Sequence, residues 1–306
     1  MLDEAPSEPV PGFPLKFRWQ RGAWERIFDA QIELIRKDIR RARLDGKIVT
    51  YLSCPLSARG GGHSGTNVEI AKFTERRLLK EWGEQFWMLN PAQYQLESKE
   101  GAGLLDMHAR DLEIDLRTLS KPGGGDYMRM WTKVLVEDVL PRSAVQGTAS
   151  PLANTGINFE AFYFLGPSDV HAFFGVQRKG SLGAAIEEYF GRRHSFDREF
   201  RDSFGVASLD DYPPDPKSPF TTPEARNGEW QRKRRAFLLF YSLRASVSCS
   251  LGSHDEWVIF SLLNQARRRI TEEHGGGIPN QIAGFFDGKA IATSAAERSP
   301  ALGYAF

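Results

Sequence analysis

The chain has 306 residues, 41% of them apolar and 26% charged, with a formal net charge of +1. This is the profile of an ordinary globular protein with no global field to recruit nucleic acid. Two cysteines, Cys54 and Cys249, make neither a disulfide framework nor a metal-ligand pattern, which fits a reduced, cytoplasmic setting. No apolar stretch is long enough to span a membrane, and the acidic, proline-rich start MLDEAPSEPVPGFP reads as a flexible arm rather than a signal peptide.

The spacing of Trp24, Ile27, Phe28, Ile32, Ile35, Ile39 and Ala42 predicts a helix from Trp24 to Asp45, stopped by Gly46. A β-branched run, Ile48–Leu52, predicts a strand directly after it. A glycine cluster follows, and Thr66-Asn67-Val68-Glu69 reads as a capping box opening a helix to about Trp82. A second strand is expected over Gln85–Leu89, ending at Asn90-Pro91, with residues Gln93 to Pro122 irregular. Gly123-Gly124-Gly125-Asp126 opens another helix, with Tyr127, Met130, Trp131, Val134, Leu135 and Val139 on one face and Pro141 after its end. The aromatic run Phe159–Leu165 has the continuous apolar character of a buried parallel strand.

Ser168 or Asp169 then caps a short helix to Phe174, and a further helix runs from Leu182 to Phe190, stopped by Gly191. Residues 212–227, YPPDPKSPFTTPEARN, mark a loop or subdomain boundary. Trp230–Cys249 is apolar without a decisive period, Ser253 or Asp255 to Ile270 reads as a capped amphipathic helix, and Asp287-Gly288 centres a hairpin. The basic runs Arg232–Arg235 and Arg267–Arg269 read as solvated helix faces. The β-α-β-α-β order predicts an α/β fold, a flavodoxin- or Rossmann-like parallel sheet flanked by helices. It carries an N-terminal helix and a helical C-terminal extension. The expected organisation is an arm over 1–22, an α/β domain over 23–211 and a mostly helical extension over 212–306 packed on it.

A strand, a glycine loop and a helix start together suggest an anion- or sugar-binding edge. Gly60-x-Gly62-x-x-Gly65 matches the dinucleotide fingerprint in letters only. The glycines come late after the strand, no acid closes the second strand, and Thr66 stands where the phosphate-loop lysine belongs. Glu187 lies on the first turn of a predicted helix after the third strand. It is either a plain helix acid near a positive dipole end or a carboxylate at the rim of the sheet. Asp126 and Asp169 sit at helix starts, as caps or as groups that orient a sugar or leaving base. His63 and His171 have no second ligand at metal spacing, so no metal is expected. Tyr51, Tyr127 and Trp131 suit either core packing or stacking on a base.

Together these segments resemble the nucleoside 2-deoxyribosyltransferase-like superfamily. The carriers are Thr50–Leu56 as opening strand and turn, Asn67 with Ile70-Ala71, Asn90-Pro91, and Gly183-x-x-x-Glu187, which is similar to the family's Gly-Thr-x-x-Glu helix start. The resemblance implies cleavage or transfer of an N-glycosidic bond in a nucleoside, nucleotide or NAD-like substrate, with Glu187 as nucleophile and Asp126 or Asp169 positioning the substrate. Ser53, Pro55, Gly60, Gly61, Gly62, His63, Gly65, Asn67, Asn90 and Tyr127 are the expected substrate-binding residues. No cofactor is implied, a homo-oligomer is compatible, and neither a membrane nor a nucleic acid is an expected partner. The alternative expectation is a protein of the same fold that senses a nucleotide or binds a partner without reaction.

Overall fold

The computed structural model describes residues 4–7, 13–98, 101–138, 154–175, 181–205, 222–244, 250–274, 281–292 and 303–305. The chain is an α/β protein built on a five-stranded, mostly parallel sheet covered by helices. Two short strands precede it: β1 (Glu4–Ser7) and β2 (Phe17–Gln20) pair antiparallel, so part of the expected arm is structured. Helix α1 (Ala23–Leu44) buries the predicted stripe, and Gly46 follows it at φ 70°, a left-handed position that suits glycine.

Strand β3 (Ile48–Ser53) leads through α2 (Ser64–Trp82) to β4 (Phe86–Leu89), which pairs parallel to β3. The stretch read as irregular contains a helix, α3 (Ala102–Asp111). Its run of Ala, Leu and Met favours helix in spite of Gly101 and Gly103 at its start. Helix α4 (Gly124–Val136) then leads to β5 (Ala161–Phe164), parallel to β3 on the side away from β4. After α5 (Pro167–Phe173), α6 (Leu182–Phe196) and α7 (Arg198–Phe204) come α8 (Pro223–Leu239) and α9 (Leu251–His274). A single π-type turn, Phe240–Arg244, continues α8 and settles the undecided Trp230 region as helical.

The expected hairpin forms as β6 (Ala283–Phe286) and β7 (Lys289–Ile291), turning at Asp287-Gly288. It is not confined to an extension: β6 pairs parallel to β5, giving the sheet order β4-β3-β5-β6-β7. The C-terminal third therefore completes the sheet as well as adding helices. The boundary expected at 211/212, Pro141 and Cys249 lie outside the described residues.

Alternation along the strands divides the core in two. Val49 and Tyr51 of β3 and Phe162 and Phe164 of β5 face α1, α4 and α9. Leu52, Tyr163 and Leu165 face α2 and the α5 to α8 region. Both faces are covered, which is why β3 and β5 read as nearly unbroken apolar runs.

Helix α9 carries a charged residue inside this core. Arg267, read from sequence as part of a solvated run, is buried. Its Nε donates to the Thr155 carbonyl at 2.9 Å and its Nη2 to those of Gly156 at 2.7 Å and Phe159 at 3.4 Å. It thereby ties α9 to the loop that enters β5, and desolvation lowers its pKa to about 10. Replacing Arg267 by Ala is expected to cost about 2–4 kcal/mol by stranding buried carbonyls. The exposed Arg269→Ala should stay within about 0.5 kcal/mol of wild type. Urea denaturation of both variants checks this, and equal midpoints would contradict it.

Candidate functional site

Three helices of the α/β frame begin at one place beyond the carboxyl end of β3. Ser64 opens α2, Gly123-Gly124 opens α4, and Ser250 to Ser253 open α9. These residues line one cavity of about 430 Å³ together with Cys54 to Ala58 after β3, Pro91 and Gln95 after β4, and the side chains of Glu97, Tyr127, Met128, Trp131, Phe240 and Tyr304. The sheet order reverses at β3, whose two neighbours are reached by successive connections. Open α/β sheets bind ligands at such points. The volume is that of a small-molecule site.

The one carboxyl buried against this cavity is that of Glu256 among the described lining residues, 5% exposed in the second turn of α9. The Tyr51 hydroxyl donates to its Oε1 at 2.6 Å and the Ser53 hydroxyl donates to its Oε2. Tyr51 and Ser53 are two residues apart on β3, so the pleat aims both at the same carboxyl. Burial outweighs these bonds and raises the Glu256 pKa to about 8. The group is thus protonated at neutral pH. Burial, followed by the Glu256 charge, also pushes the Cys54 thiol up, which removes it as a thiolate nucleophile. Glu97 lines the rim and is also raised by burial.

Of the residues singled out in the sequence, Ser53 holds Glu256, and Pro55 and Tyr127 line the cavity. Asn67 supports it from behind. Its Nδ2 donates to the Ser57 carbonyl at 2.9 Å and its Oδ1 accepts from Tyr241 at 2.7 Å, fixing the 54–58 turn. Asn90 is buried at the end of β4, accepting from Ala92 N at 3.0 Å and donating to Glu75 at 2.8 Å.

The glycine cluster packs against α8 and the turn that follows it and is not part of the cavity lining. Gly60 and Gly61 lie at φ 79° and 106° in a short 3-10 turn under α8. A Cβ on Gly61 would stand 2.7 Å from the Ala236 carbonyl oxygen, and one on Gly62 would stand 2.9 Å from the Phe240 ring. The close approach of α8 therefore accounts for these glycines. Gly65 lies beneath the imidazole of His63, which caps α2: Nδ1 accepts from Thr66 N at 3.1 Å. The His63 ring packs on Phe200 and Phe204, and burial lowers its pKa. His63, rather than the predicted Thr66 box, opens this helix.

The three expected catalytic carboxylates all lie elsewhere. Glu187 is half exposed and pairs with Arg234 of α8. Asp126 accepts from Gly123 N at 2.7 Å and from Gln20 N at 2.6 Å, so it caps α4 and clamps β2 to it. Asp169 caps α5 through Gly166 N at 2.8 Å, accepts from Tyr163 at 2.9 Å and pairs with Arg77. None of the three lines the cavity.

Sequence reasoning missed Glu256 because Ser253-x-x-Glu256 has the form of a capping box. A signal was nonetheless present. Glu256, Phe260, Leu263 and Arg267 share one helical stripe, and its apolar members mark that stripe as the buried one.

Because the folded-state pKa of Glu256 lies above that of an unfolded glutamate, its stabilising contribution is complete below about pH 4.5 and is lost as pH rises through about 8. Glu256→Gln keeps both hydroxyl contacts, since Tyr51 and Ser53 can each donate or accept. The variant is expected to match wild type near pH 5 and to exceed it by on the order of a few kcal/mol at pH 9. Thermal unfolding across this range measures the difference, and parallel curves would contradict the assignment.

Comparison with protein-family models, with curated proteins and with solved structures gave no match.

Proposed function

We propose that this protein cleaves or transfers the N-glycosidic bond of a nucleoside or nucleotide, with Glu256 as general acid to the leaving base in place of the nucleophilic role the sequence resemblance gave to Glu187. The observation that carries this reading is the buried Glu256 carboxyl, held by the Tyr51 and Ser53 hydroxyls against a cavity lined by aromatic residues. Tyr127, Trp131, Phe240 and Tyr304 supply ring surfaces suited to a base. A carboxylic acid held neutral by burial is a general acid at physiological pH.

Glu256 gives its proton to a ring nitrogen of the leaving base. The C1′–N bond breaks with its electron pair going to the base. Water then adds to C1′ of the sugar cation and returns a proton to Glu256, which restores the starting state. With a second base in place of water the same steps give transfer. Tyr51 and Ser53 orient the carboxyl throughout, and both stabilise its charged form while the proton is away.

A panel of nucleosides, nucleotides and NAD is assayed for free base. Glu256→Gln is expected to reduce release by about 10²–10⁴-fold, and wild-type kcat/KM should fall as pH rises through about 8. Glu187→Ala should remain close to wild type, because its partner is Arg234 and not the cavity. Equal release by wild type and Glu256→Gln would overturn the assignment. Tight nucleotide binding by wild type with no release would favour a sensing protein of the same fold.

A further inference from the structure

We infer that Tyr304 is the ring on which the base of the substrate packs, and that Asp255 is the positioning residue that seats it as a wall of the cavity. This deepens the N-glycosidic reading and rests on it. Asp255 and Glu256 are consecutive on α9, so their side chains leave the helix about 100° apart. Glu256 turns to the two hydroxyls of β3, and Asp255 turns to the C-terminal residues 303–305. Asp255 is fully buried. Its Oδ2 accepts from Tyr304 N at 2.8 Å and its Oδ1 from Ala305 N at 3.3 Å. A buried carboxylate is costly unless such donors satisfy it, so the pairing holds the segment in place.

Two glycines supply an independent observation. A Cβ on Gly303 would stand 2.0 Å from Asp255 Oδ1, and one on Gly124 would stand 2.0 Å from Tyr304 Cζ. The first glycine lets the backbone reach the carboxylate. The second lets the far edge of the Tyr304 ring lie on the first turn of α4. Neither lies at a positive φ, so close approach rather than backbone conformation accounts for both. Three separate parts of the chain are thus fitted to one another where Tyr304 borders the cavity.

The other three rings of the lining belong to the core. Trp131 and Phe240 are buried, Trp131 with its ring centroid 5.7 Å from that of Tyr51 and Phe240 edge-on to Tyr241 at 4.9 Å. Tyr127 stands edge-on to Phe28 at 5.1 Å, and its hydroxyl accepts from Glu97 N at 3.3 Å. Tyr304 is partly buried and lines the cavity from a segment anchored by its backbone. The two amide contacts would seat any side chain at 304. The seat therefore does not require a ring there, whereas a ring bordering the cavity offers its face to a planar base.

The test uses full-length protein carrying Glu256→Gln, which binds without turnover on the proposed chemistry. Calorimetry compares adenosine, guanosine, cytidine and uridine with ribose, which lacks the base. Adding Tyr304→Ala is expected to weaken nucleoside binding about tenfold and to leave ribose binding unchanged, while Tyr304→Phe retains nucleoside binding. Asp255→Asn replaces one of the two acceptors by a donor, and Gly124→Ala displaces the ring while leaving the buried Asp255 intact. Each should weaken nucleoside binding, and neither should weaken it further once Tyr304→Ala is present. Unchanged nucleoside binding in Tyr304→Ala, an equal loss for ribose, or additive losses in the double variants would overturn the proposal. Base release by wild type together with Tyr304-independent nucleoside binding would leave the glycosidic reading intact while this inference fails. Tyr304-dependent nucleoside binding with no base release by wild type would do the reverse.

Discussion

Glu256 joins the helical layer to the sheet at the point where the cavity opens. Two hydroxyls from one face of β3 hold its carboxyl, and α9 delivers it from the covering layer. The rest of α9 keeps it there. Arg267, further along the same stripe, fastens the helix to the loop before β5. Asp255 accepts from the backbone of Tyr304 at 2.8 Å and Ala305 at 3.3 Å, which seats Tyr304 against Gly124 and closes one side of the cavity. A carboxyl enclosed on this scale gives up hydration that two hydroxyls only partly replace, so it retains its proton.

The same enclosure organises the surrounding acids into two kinds. Asp126 and Asp169 sit at the third position of helices whose N-cap is glycine, and each accepts from that glycine's amide. They are anchored to the backbone and to β2 or Arg77. Glu256 lies in a second turn, past the orphan amides, and finds hydroxyls instead. Position along the helix therefore separates acids that cap backbone amides from one held by side-chain hydroxyls.

Most of the sheet was legible in the sequence, because β3 and β5 are apolar on both faces and α1 and α4 carry clean stripes. What was not legible depended on distant partners. The β6 strand joins the sheet through parallel pairing with β5, which leaves no local mark beyond the hairpin. The glycines at 60–62 have the spacing of a phosphate loop, yet their cause is α8, far along the chain. Glu187 fits a short motif, but Arg234 of α8 claims it. Pro55 borders the cavity, and Ser53 holds Glu256 beside it, because the turn after the first sheet strand lies there by topology alone. Glu256 was hidden by its resemblance to a capping acid.

The proposed chemistry turns on a single proton. Carbon-13 NMR of glutamate carboxyls in wild type and Glu256→Gln measures it directly. A resonance titrating near pH 8 in wild type and missing from the variant is the predicted result. If Glu256 instead titrates in the ordinary glutamate range, around 4.3, the group is ionised at neutral pH and the general-acid account is contradicted.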